Sequence, residues 1–108
     1  MIALTHFHDD SADFAERAGR ALAALAARPG YLRGSLARST DDAAAWLLLT
    51  EWENVGSYRR ALGAYDVKLH ATPLLATALD LPGGFEQLLD VAPGGAAVAR
   101  GSDLEVDA

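Results

Sequence analysis

The side chains best suited to chemistry near neutral pH lie in the second half of the chain. His70 is the leading candidate base, because an imidazole titrates near neutrality and this one follows a run of helical aromatics. Tyr58 and Tyr65 precede it, and their hydroxyls could donate hydrogen bonds to a phenolate or a developing oxyanion, or simply sit in the core or on the surface. Trp52 offers a flat ring that either lines a pocket or fills a core. His6 and His8 alternate along one strand, a spacing a metal can use, but no third ligand is evident and the nearby carboxylates sit on a turn, so no metal is expected. Arg33 either binds an acidic substituent or pairs with Glu51 across a hairpin, and the pair is favoured. No Gly-rich loop runs from a strand into a helix to cradle phosphate, and no Ser/His/Asp order stands out.

The elements that must position these groups are organised around Trp46 to Glu53, WLLLTEWE. Asp41-Asp42 before it and Asn54 with Gly56 after it bound a run of strand length. Alternation puts Trp46, Leu48, Thr50 and Trp52 on one face and Leu47, Leu49, Glu51 and Glu53 on the other. Both faces begin apolar, so both sides of the sheet are expected to be covered. A first strand spans residues 2–8, with Ala3, Thr5 and Phe7 opposite Ile2, Leu4, His6 and His8.

Ser11, or an aspartate beside it, is the expected cap of a helix over residues 12–27, which the proline and glycine of Arg28-Pro29-Gly30 end. Phe14, Ala18, Leu22 and Leu25 form its apolar stripe. Tyr31 to Ser39 reads as a second strand, joined by a polar turn to the central one. Asn54 caps a second helix that begins with Val55, Tyr58, Arg59 and Leu62 and is interrupted at Gly63. Short helical pieces follow over residues 66–71 and 73–79, and Phe85 to Val91 reads as a fourth strand.

The order strand, helix, strand, strand, helix, strand predicts an α+β ferredoxin-like split βαβ fold with a four-stranded antiparallel sheet and helices on one face. The bare face would then be a large apolar patch, which a homodimer joined through its sheet faces would bury. Residues 1–91 are expected to form the domain, and 92–108 a Pro, Gly and Ala-rich tail that is flexible or docked on a neighbour.

A chain of 108 residues suits a single domain, and the absence of cysteine excludes disulfides and thiol chemistry. The formal net charge of −6, without an arginine cluster interleaved with aromatics, argues against nucleic acid and anionic membranes as partners. The start lacks a basic segment and a long apolar stretch, so a cytoplasmic protein is expected, and the excess of arginine and alanine hints at a GC-rich bacterial genome.

The PGY that opens strand two, the TEWEN that ends strand three, the SYRRAL helix and the YDVKLH segment together resemble the antibiotic biosynthesis monooxygenase family of dimeric α+β barrel proteins, over residues 2–91. The resemblance implies a homodimer whose sheets close into a barrel. Each protomer would keep a pocket between its sheet and helices, where enzymes of the family oxidise polycyclic phenols to quinones with dioxygen and no metal or flavin.

Carried onto this chain, it implies no cofactor and a small aromatic substrate. His70 and Tyr58 would be catalytic, and Trp52, Tyr65, Thr5, Phe7 and Thr50 would bind the ring. The haem-degrading branch fits poorly: strand one offers Thr5-His6 where those relatives have asparagine, and Leu62 stands near their tryptophan position. The alternative to an oxygenase is a non-catalytic small-molecule-binding or accessory barrel, which needs the aromatic pocket but no base.

Overall fold

The computed structural model describes residues 1–102. Strand β3 (Ala45–Trp52) lies between β1 (Ile2–His8) and β2 (Tyr31–Arg38), antiparallel to both, and β4 (Gly84–Phe85) extends the other edge of β1. The sheet order β2-β3-β1-β4 is that of the ferredoxin-like fold. Register sets the faces: Ala3 opposite Thr50, Thr5 opposite Leu48 and Phe7 opposite Trp46 point one way, while Leu4 opposite Leu49 and His6 opposite Leu47 point the other.

Helices cover the first of these faces. In α1 (Phe14–Ala26) the buried residues are Phe14, Ala18, Ala21 and Leu25, a helical stripe laid on the sheet. Phe7, Phe14 and Trp46 cluster at one end of the layer, with ring centroids 5.3 and 5.1 Å apart, and the Trp46 indole N–H donates to the Asp9 carbonyl at 3.0 Å. The helical half continues with α2 (Val55–Leu62), α3 (Tyr65–His70) and α4 (Thr72–Leu75). Gly63 ends α2, and α3 then turns onto α1 with Val67 buried. Asn54 is extended and its side-chain oxygen accepts from the Ser57 amide at 2.8 Å, the cap expected there.

Three expectations are corrected. Neither Ser11 nor Asp13 caps α1; the Ser11 amide and hydroxyl donate to the Asp9 carboxylate instead, forming a local turn before the helix. A bulge between Tyr31 and Arg33 rotates Tyr31 onto the helical face opposite Trp52 and leaves Leu32 exposed. The helical piece expected through Leu79 stops at Leu75, and the Leu79 amide instead donates to the His6 carbonyl along the edge of β1.

The fourth strand is not continuous from Phe85 to Val91. Ladder pairing pairs Ile2 with Phe85, so β1 offers no further strand partner and β4 ends. The chain resumes as β5 (Leu89–Val91), which pairs with β6 (Ala97–Ala99) in a separate hairpin turned at Gly94, with φ of 71°. Ion pairing of Arg33 with Glu51 holds as expected.

Replacing Asn54 by alanine removes the one side-chain cap of α2. A loss of about 1 kcal/mol in unfolding free energy is expected in urea denaturation, and an unchanged midpoint would show that Ser57 finds another acceptor.

Candidate active site

The apolar-looking stripe of α2 meets the core only along its edge, where Tyr58 and Leu62 are partly buried. The buried residues of α2 are Ser57 and Ala61, small enough to bring the helix close to the sheet. Ser57 in turn lies beside Gly30, whose φ of 87° turns the chain into β2 and whose missing Cβ leaves room for the serine. Val55, Tyr58, Arg59 and Leu62, at i, i+3, i+4 and i+7, are therefore free to line a cleft.

The opposite wall is Gly84, Phe85, Glu86 and Leu88, with Met1 completing a cleft of about 570 Å³. Its Tyr58 ring is backed by Trp52 at 5.6 Å, and Trp52 meets Tyr31 edge-on at 5.4 Å. Trp52 is 1% exposed, with its indole N–H on the Thr50 hydroxyl at 2.8 Å.

The expected site residues are only partly brought together. Tyr58 lines the cleft; Trp52 and Thr50 stand behind it in the core. Phe7 is buried against Phe14, and Thr5 is half-buried opposite Leu48. Tyr65 is 77% exposed. His70 lies in a different surface cleft, with Arg17, Arg20, Leu69, Pro73 and Leu74, because the break after α2 carries α3 onto α1. The sheet–helix interface itself is filled by side chains, so the cleft opens at its edge rather than within it.

Arg59 and Glu86 were not singled out from sequence. For Arg59 the signal existed, a guanidinium within an otherwise apolar i, i+3, i+4, i+7 set. Glu86 carried none, since it read as one position of a regular strand. His6 and His8 share the open sheet face, where His8 lies 3.5 Å from Asp42; among the described residues no group of three or more His, Asp or Glu could hold a metal.

Residues 1–70 match the antibiotic biosynthesis monooxygenase family. The chain belongs to that family. Among solved structures it is similar to SnoaB, a cofactor-independent oxygenase from Streptomyces nogalater, at 28% identity over 72% of this chain and 82% of that one, with a TM-score of 0.64. Rv0793 from Mycobacterium tuberculosis shares the fold at 10% identity over 96% and 97% of the two chains, with a TM-score of 0.61. A conserved protein from Methanosarcina mazei Go1 shares it at 15% identity over 77% and 84%, with a TM-score of 0.58. No curated protein matches the chain. Among the described residues no helix is long and apolar enough to cross a membrane.

In this family member, burial pushes the Tyr58 phenol above the ordinary tyrosine value of 10.0, and the Tyr31 phenol is raised for the same reason. The Tyr58 hydroxyl is thus a hydrogen-bond donor throughout the neutral range. It keeps its proton at pH values where the unfolded chain has lost it, so this contribution to stability is complete below the unfolded value and is lost as pH rises through the folded one. Tyr58→Phe is expected to flatten the alkaline fall in stability and to delete one late-titrating phenol from the ultraviolet difference spectrum. Identical alkaline slopes would mean that the phenol is solvated.

Proposed function

We propose that this protein is a cofactor-independent monooxygenase that oxidises an aromatic phenol, or the enol form of an anthrone-like ketone, with dioxygen in the Tyr58 cleft. The observation that carries the reading is a protonated, half-buried phenol beside a guanidinium in an apolar cleft, on a chain 28% identical to a cofactor-independent oxygenase. Such a site suits a flat substrate that becomes an anion: Leu62, Phe85 and Leu88 take the ring, while Tyr58 and Arg59 stabilise the charge.

Glu86, the one carboxylate lining the cleft among the described residues, is the group assigned to accept the substrate proton. The anion gives one electron to dioxygen, and the radical pair joins as a carbon-bound peroxide. Glu86 returns its proton to the peroxide, and loss of water with the proton still on that carbon leaves a carbonyl, so one oxygen atom enters the substrate, the other leaves as water and the carboxylate is regenerated. Acceleration comes from positioning and from charge stabilisation in a low-dielectric cleft.

The proposed assembly is a homodimer. Leu4, Leu47 and Leu49 share the sheet face that no helix of the described residues covers, and they are only partly buried. Two such faces laid together remove both from water. An aspartate in place of Leu49 is expected to convert a dimer to a monomer in sedimentation velocity; a monomeric parent chain at micromolar concentration would end the dimer reading.

A non-catalytic binding barrel is the second reading, favoured by the placement of His70 outside the cleft. Oxygen uptake by chelator-treated, flavin-free protein with dithranol, a dihydroxyanthrone, separates the two. Uptake is expected, lowered roughly a hundredfold by Tyr58→Phe and little changed by His70→Ala. Dithranol that quenches tryptophan fluorescence without uptake would point to the binding protein.

A further inference from the structure

Glu51 is the only charged side chain in the core set of the described residues, 8% exposed, and it lies on the sheet face away from the helices. A carboxylate withdrawn from water is costly unless its oxygens are paired. Its Oε2 takes the Arg33 guanidinium across the β2–β3 pair, and its Oε1 accepts from the Gln87 side-chain amide at 3.2 Å. Gln87 sits between Glu86 and Leu88, both of which line the cleft. Its amide oxygen in turn accepts from Arg100 at 2.8 Å, and Arg100 also pairs with Asp90 of the hairpin.

The wall needs such a tether. Ladder pairing ends at Phe85 and begins again only at Leu89, so residues 86–88 belong to no strand. The backbone bond that Arg100 donates to the Leu88 carbonyl ties this segment to the hairpin, not to the sheet. Ser102 likewise donates to Glu86 from the far side of the hairpin.

We infer that Glu51 is a positioning residue for the cleft: through Gln87 it fixes the 86–88 wall against the sheet, and so sets the width available to an aromatic substrate and the placement of Glu86. The assignment of a substrate rests on the oxygenase reading above, whereas the tether itself does not. A positioning role of this kind acts on substrate alignment and affinity without touching the substrate.

The test uses Gln87→Leu, which removes the amide and leaves the Glu51–Arg33 pair, with Gln87→Glu and Gln87→Lys as a pair of opposite sign. Hydrogen exchange of the peptide spanning 84–91 is read by mass spectrometry, and KM and kcat are measured with dithranol. Gln87→Leu is expected to speed exchange in that peptide about tenfold or more, because it loses the bonds to both the Glu51 carboxylate and the Arg100 guanidinium, with KM raised and kcat changed less. Gln87→Glu, which keeps the Arg100 partner but sets two carboxylates together, should also speed exchange, and Gln87→Lys, which gives up Arg100, should restore slow exchange and a low KM by donating to Glu51.

Unchanged exchange in Gln87→Leu and Gln87→Glu would overturn the tether. Faster exchange with KM and kcat both unmoved would overturn its role in the cleft. If the parent chain neither binds nor oxidises dithranol, the oxygenase reading fails for that substrate class, while the exchange comparison still decides whether Glu51 holds the wall.

Discussion

The fold and the cleft both depend on how the Trp52 indole is buried. The largest fully buried side chain of the protein carries a polar N–H, and leaving that donor unpaired in the core would cost about 1 to 3 kcal/mol. Thr50, two residues back on the same strand face, supplies the acceptor. The pair is thus satisfied within one strand and asks nothing of the helices, whose contribution is purely shape. Tyr31 reaches the indole only because the bulge in β2 rotates it inward, and Tyr58 reaches it only because α2 lies close to the sheet. Trp52 thereby turns three separate elements into one rigid aromatic corner, and the cleft opens on its outer side.

Small residues make that closeness possible. Ala3, Ala18, Ala21, Ala61 and Ala71 are all buried, so the helices approach the sheet with little side-chain volume between them, and the large rings collect at the two ends of the layer. At the end near Trp46 the Asp9 turn is tied to the indole through its backbone carbonyl, and its carboxylate is held below its ordinary range first by the Ser11 hydroxyl. At the Trp52 end a cleft lies between α2 and the segment after β4.

Alternation was enough to read β1, β2 and β3 and the faces of β1 and β3, because a period of two with one buried face allows a single register. It failed where a strand's existence depends on its partner. Phe85, Gln87 and Leu89 alternate with Glu86, Leu88 and Asp90 as well as any strand here, yet β1 supplies ladder partners only as far as Phe85, a fact of register that local pattern does not contain. The helix caps divide in the same way: Asn54 acts locally on Ser57 and was legible, whereas the Ser11 hydroxyl could accept from the helix or donate to Asp9, and it donates to Asp9. For the site, Tyr58 was legible as a chemistry-bearing residue on a helix. His70 was misplaced by the turn after Gly63, which sends α3 to a different neighbour, and a one-dimensional reading cannot give the direction of that turn.

A cleft of this construction has two walls of unlike stiffness. The α2 wall is held by a cap, by helical hydrogen bonds and by the aromatic corner, which fix the backbone carrying Tyr58 and Arg59 against the sheet. The wall of residues 86–88 lacks ladder bonds and takes its position from side chains. Electrostatic stabilisation of an anion demands donors fixed in advance, since reorganising dipoles during reaction wastes the advantage of a low-dielectric site. For the proposed oxygenase the donors would therefore belong on the stiff wall, where Tyr58 and Arg59 are found. The segment carrying Glu86 and Leu88 lies outside the sheet ladder, so its distance from Tyr58 depends on the side-chain bonds of Gln87 and not on strand register.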